Sequence, residues 1–162
     1  MDTLSIGVED EFGNRHILVL IDSCSRWVEL FPIKDLEPST AASKLIEHFG
    51  RFGQPAEIRS DNGTQFVNKL HDELFRLSGV QHLRTIPHSS ESNAIVERAN
   101  KEVLKHLRNI LFDDKLSSEW NRAIPFVQRI MNSERSSVTG AKPSEIILGQ
   151  ISLDRGIFCN VG

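Results

Sequence analysis

Five consecutive apolar residues, Ile17-Leu18-Val19-Leu20-Ile21, follow His16 and offer no polar face to water. A strand that alternates can leave one side solvated, whereas this one must be covered on both faces. Its neighbours are also extended in character. Thr3–Val8 alternates polar and apolar residues, Glu9–Asn14 reads as a turn, and Asp22–Ser25 breaks the apolar run. Arg26–Ile33 returns as a third strand, rich in β-formers and ended by Pro32. Short turns between three strands predict an antiparallel meander. The hydrophobic period then changes to that of helices. Pro38–Phe52 places Ala42, Leu45, Ile46 and Phe49 on one side, with Gly53 as its stop. Ala56–Ser60 is a fourth strand, Val67–Leu77 a helix, Val80–Ile86 a fifth strand, and Asn93–Phe112 and Ser118–Asn132 two further helices. The expected fold class is α/β: a five-stranded mixed sheet, the meander plus two strands, flanked by helices. This pattern excludes an all-helical bundle, and 162 residues suit one such domain.

Several functions are excluded early. No run approaches 18 apolar residues, so no membrane span is expected. Met1–Ser5 lacks the basic and apolar regions of a secretory signal. Two cysteines, Cys24 and Cys159, cannot build a disulfide framework or a zinc site. The net charge of −3 argues against a protein that coats nucleic acid indiscriminately. Charge is unevenly spread, however. Residues 1–60 hold six basic and ten acidic residues, whereas 82–112 hold five basic and three acidic ones. A localised contact with a polyanion would use that second segment.

Three carboxylates are the candidates for chemistry: Asp2, Asp61 and Glu97. Asp61 and Glu97 are separated by 35 residues. The chain's nine Asp and thirteen Glu would give roughly 0.6 pairs at that offset by chance, so spacing alone carries no weight. Context carries it. Asp61 sits in Ser60-Asp61-Asn62-Gly63-Thr64-Gln65-Phe66, directly after a strand. Glu97 sits in Ser92-Asn93-Ala94-Ile95-Val96-Glu97-Arg98-Ala99-Asn100-Lys101, which opens a helix.

With these two motifs the chain resembles the catalytic core of retroviral and gypsy-type LTR-retrotransposon integrases. Ile17–Glu29 resembles the family's second and third strands, and Thr139–Gly149 its closing helix. The resemblance implies an RNase H-like fold, with residues 1–150 as the integrase catalytic core domain and 151–162 as a C-terminal extension. It also implies that Asp2, on the first strand, is the first of three acidic residues, and that Asp2, Asp61 and Glu97 hold Mg²⁺ or Mn²⁺. Two ions are expected with DNA bound, about 3.5–4 Å apart, clamping both oxygens of an in-line displacement. The implied reaction is trimming of a DNA end and attack of its 3′-hydroxyl on target DNA. Asp22 is the rival carboxylate, but an Asp that opens a turn is the simpler reading.

The long helix can be read independently. At 100° per residue, Lys101, Lys105 and Arg108 fall within about 80° of Glu97. Val96, Ala99, Val103, Leu107 and Ile110 cluster on the far side. One face suits a sheet and the other suits phosphates, although a Glu97–Lys101 pair on a solvated face explains the same pattern. By resemblance, the Pro87–Asn93 loop holds DNA near the metals, making His88 and Asn93 candidate contacts. Ser92 or Asn93 is also a candidate helix cap. The chain departs from the family at Ala94, Ser90 and His88, where glycine, proline and an aromatic are usual. Trp27 and Trp120 suit packing, and Trp120, Phe126 and Ile130 suit either the core or a homo-oligomer interface. Double-stranded DNA, self-association and a nuclear site of action are expected from the resemblance; no membrane is. A catalytically inactive interaction module and a Mg²⁺ nuclease without a transposition role are the alternatives.

Overall fold

The computed structural model describes residues 1–84, 90–111 and 118–149. The chain forms β1 (Asp2–Ser5), β2 (His16–Ile21), β3 (Val28–Ile33), α1 (Pro38–Phe52), β4 (Glu57–Ser60), α2 (Lys69–Ser78), β5 (Gln81–Arg84), α3 (Ser90–Leu111), α4 (Trp120–Ser133) and α5 (Pro143–Leu148). The strands β1, β2 and β3 pair as the expected antiparallel meander, with Asp2 opposite Val19 and Ile21 opposite Val28. Strands β4 and β5 pair in parallel, with Ser60 opposite Arg84. The five strands are thus a three-stranded and a two-stranded sheet. They meet where the Met1 amine donates to the Arg59 carbonyl at 2.6 Å, which brings the start of β1 alongside β4.

The apolar run in β2 is covered twice, as its sequence requires. On one face Ile17, Val19, Val28 and Leu30 pack with Ala99, Val103 and Leu107 of α3 and Trp120, Ile124 and Val127 of α4. On the other face Leu18, Leu20, Phe31 and Ile33 pack with Ala41, Leu45 and Phe49 of α1, together with Phe66 and Phe75. Trp120 is fully buried and its indole donates to the Val8 carbonyl at 3.0 Å, so it is a core residue. Phe126 points outward and is 62% exposed.

Several boundaries differ from the sequence reading for local reasons. β1 stops at Ser5 because Gly7, with φ of 78°, turns the chain. The helix expected from Val67 begins at Lys69, where the Asn68 side chain accepts from the His71 amide at 3.0 Å. The catalytic-motif helix begins at Ser90, so Ser92 and Asn93 lie within its first turn rather than at its N-cap. Strand β3 runs through Pro32 to Ile33 rather than ending at the proline. Register supplies the reason. Val28 and Leu30 direct their amides outward to α4, and Pro32, two residues on, has its missing N–H on that same outer edge. Residues 112–117, 150–162 and the Thr85–Ser89 stretch containing His88 lie outside the described residues.

That outer edge is closed by side chains. Asn132 of α4 donates to the Val28 carbonyl and accepts from the Val28 amide, both at 2.8 Å, and Gln128 accepts from the Leu30 amide at 2.8 Å. An edge strand with unpaired amides would invite pairing with another chain; here two amides one helical turn apart occupy it. Replacing Asn132 with Leu would strand both Val28 backbone groups in the core. The expected loss is about 2–4 kcal/mol in urea denaturation, against less than half of that for Gln128→Ala.

His71 is fully buried, and burial, followed by the nearby His82, lowers its pKa below 6.5. Burial, then Arg84, lowers that of His82 as well. An unfolded chain therefore takes up protons at higher pH than the folded one. The stability tied to these neutral rings is complete above pH 6.5 and is lost as the pH falls below it. Thermal midpoints are expected to decline from pH 7 to pH 5, and His71→Phe is expected to flatten that decline.

Candidate active site

The three carboxylates singled out by sequence reach one place from three elements. Asp2 opens β1, Asp61 follows the last residue of β4, and Glu97 stands in the second turn of α3. All three line a single cleft of about 490 Å³, which runs on past Leu20, Ile21, Leu45 and Ile58 beneath α1. Strand ends put Asp2 and Asp61 there, and α3 brings Glu97. Both Asp2 and Asp61 act on the Met1 amine: burial lowers that amine to about 6, while the two carboxylates pull it upward.

Two of the acids are tethered by hydrogen bonds. One Asp2 oxygen accepts from the Thr3 amide and the other from Asn100 Nδ2, each at 2.8 Å. Asn100 is three residues beyond Glu97, so one face of α3 both presents Glu97 and holds Asp2. Asp61 Oδ1 accepts from the Gly63 amide at 3.0 Å, closing a tight turn. The Gly63 carbonyl then accepts from the Phe66 and Val67 amides, and the fully buried Phe66 anchors that turn in the core.

The donor set suits a hard divalent cation in kind: three carboxylates with spare oxygen lone pairs, facing one cleft. It is not gathered into a closed shell. Among the described residues, no group of three His, Cys, Asp or Glu side chains is close enough to hold a metal ion. The arrangement is therefore a shared wall of carboxylates with the right chemistry and an open geometry.

Asp22 lines the same cleft but is a turn residue, as its position suggested. Its carboxylate accepts from the Ser25 amide at 2.7 Å and the Ser25 hydroxyl at 2.5 Å. Burial alone would raise its pKa; the Ser25 and Cys24 hydrogen bonds outweigh this and hold it below the usual carboxylate range. His82 bonds to Ser60. On α3, Lys101, Lys105 and Arg108 are exposed, and Lys105 pairs with Glu102 at 3.0 Å. Val103 and Leu107 are fully buried on the opposite face, as the helical period required.

Sequence reasoning passed over Asn100, which had stood in the quoted motif without a role. It also passed over Glu29, the second residue of β3, which is 1% exposed and lines the cleft. Its carboxylate bonds His48 Nδ1 at 2.5 Å and Arg51 at 3.0 Å. A charged residue inside an apolar strand was the available signal, since buried charges need partners. Trp27 leans on Phe52, ring centres 5.8 Å apart, which fits packing.

Residues 1–90 match the family described as the integrase core domain. The chain is 32% identical over 139 residues to the Gag-Pol polyprotein of baboon endogenous virus and 30% identical over 140 residues to that of feline leukemia virus. Each match covers 85% of this chain and 8% of the polyprotein, so the chain spans under a tenth of those relatives. The fold is similar to the catalytic core domain of BIV integrase, with a TM-score of 0.69 and 22% identity over 91% of this chain and 93% of that one. It is also similar to the HTLV-2 integrase catalytic core domain in complex with magnesium, with a TM-score of 0.72 and 18% identity over 90% and 93% of the two chains. A meander beside a parallel pair of strands thus has its counterparts among integrase catalytic core domains, and this chain belongs to the integrase core domain family.

Proposed function

We propose that this domain is the catalytic core of a retroelement integrase, cutting phosphodiester bonds and joining a DNA 3′ end to target DNA. The observation that carries the reading is the convergence of Asp2, Asp61 and Glu97 on one cleft, with Asp2 tied to the helix that bears Glu97. These three residues would hold Mg²⁺ or Mn²⁺, and two ions are expected with DNA bound. The chemistry such cations supply is a lowered pKa for the attacking water or hydroxyl and stabilisation of charge on the phosphoryl oxygens. Integrase cores generally use divalent metals, and the similar HTLV-2 domain is described with magnesium.

The chain's own residues do the rest. Asn100 and the Thr3 amide fix the direction of Asp2, and the Gly63 turn fixes Asp61. Lys101, Lys105 and Arg108 offer exposed cations on the helix that carries Glu97, placed for the phosphates of double-stranded DNA. His88 and Asn93 are further proposed DNA contacts. The exposed Phe126 suits a homo-oligomer contact, and action in the nucleus follows from the proposed reaction. A non-catalytic interaction module is the second reading, favoured by the open arrangement of the acids.

Nicking or disintegration of branched DNA separates the two. The first reading expects activity that needs Mg²⁺ or Mn²⁺ and falls to background in Asp61→Asn, with the melting temperature retained. Cleavage that persists in Asp61→Asn contradicts it; no cleavage by the parent domain with any divalent ion supports the second. For the basic face, the double variant Lys101→Glu, Lys105→Glu is expected to weaken duplex binding for every sequence. It should also reduce the slope of log affinity against log salt by about 2. An unchanged slope would remove these residues from the interface.

A further inference from the structure

Ser60 is the last residue of β4, immediately before Asp61, and it is 2% exposed. Its hydroxyl donates to the Asp61 carbonyl at 2.8 Å and lies 2.9 Å from Nε2 of His82, the second residue of β5. A hydroxyl has one proton to give. With that proton on the Asp61 carbonyl, the consistent assignment is an Nε2–H tautomer in which His82 donates to Ser60. The other ring nitrogen fits this assignment: His82 Nδ1 is buried with no hydrogen-bond partner, tolerable for an unprotonated acceptor and costly for an N–H.

The imidazole is also held in place. It packs on Phe75, 2% exposed, with ring centres 4.8 Å apart, and Phe75 packs on the buried His71 at 5.7 Å. His71 in turn meets Phe66 edge-on at 6.3 Å. Phe66 anchors the turn after Asp61, so the aromatic row that fixes His82 is continuous with the one that fixes the turn. Asp61 is therefore held on both sides: its carboxylate by the Gly63 amide and its carbonyl by Ser60.

We propose that His82 is a positioning residue for Asp61, acting through the Ser60 hydroxyl to set the peptide from which the Asp61 carboxylate enters the cleft. This rests on the reading of Asp61 as a cation ligand. Partners hydrogen-bonded directly to a ligand commonly alter metal affinity 10- to 100-fold; this relay is two hydrogen bonds long and ends on the Asp61 carbonyl, so the low end of that range is expected.

The test measures Mn²⁺ affinity by calorimetry alongside the melting temperature. His82→Phe keeps the stacking and removes the N–H; it is expected to weaken Mn²⁺ binding about tenfold with the fold intact. His82→Gln, which restores a donor, is expected to recover most of that loss. Ser60→Ala gives a second route should His82→Phe fail to fold, and is expected to match its defect. The double variant should be no weaker than either single one, because both remove the same relay. Parent-like Mn²⁺ binding in Ser60→Ala or in folded His82→Phe, with Asp61→Asn impaired, overturns the relay alone, as do defects that multiply in the double variant. Parent-like binding in Asp61→Asn removes the reading of Asp61 and the relay with it.

Discussion

The site depends on one amide. Asn100 Nδ2 donates to Asp2 at 2.8 Å, joining the opening residue of a strand to the third turn of α3. A carboxylate at a strand's start has few packing contacts of its own, and fixing its direction needs a partner from a rigid element. A helix is such an element when its other face is locked, and α3 is locked by Ala99, Val103 and Leu107 against the sheet. The apolar face of the helix thereby controls the polar one. Losing core contact at Leu107 would loosen Asp2 and Glu97 together.

The same logic of double coverage explains the scaffold. Because β2 is apolar on both sides, helices must cover both faces of the meander, which sends the chain across the sheet and back. The crossings leave the starts and ends of strands at one edge of the molecule, where Asp2 and Asp61 stand beside Glu97 on one cleft. The far edge, β3, is closed by Asn132 and Gln128 rather than by another strand. Glu29 lies deep in this frame, hydrogen-bonded to His48 and paired with Arg51, so the polar wall of the cleft continues beyond the three acids.

Legibility followed the length scale of each interaction. The unbroken run Ile17–Ile21 forced a doubly covered strand, and the 3.6-residue period of the long helix separated Val103 and Leu107 from Lys101 and Lys105; both hold in the structure. That Asp2, Asp61 and Glu97 would face one cleft was legible from the local motifs around Asp61 and Glu97 and from the resemblance to a known family. Interactions across long sequence separations were not legible. Nothing in a single chain says that Asn132 will bind Val28, 104 residues away, or that Asn100 will bind Asp2, 98 away. Pro32 misled because its meaning depends on which edge its missing N–H faces, a matter of register. The role of His82 was not legible either, because its bond to Ser60 depends on the parallel pairing of β4 and β5, which local patterning does not specify.

The central claim is that carboxylates from β1, β4 and α3 form one cation site. Paramagnetic broadening of backbone amide signals by Mn²⁺ tests this most directly, because it maps the ion without requiring turnover. The account predicts broadening that begins at substoichiometric Mn²⁺ and centres on the amides around Asp2, Asp61 and Glu97. Broadening centred instead on the acidic turn Glu9–Glu11, or spread evenly over exposed carboxylates, would contradict it.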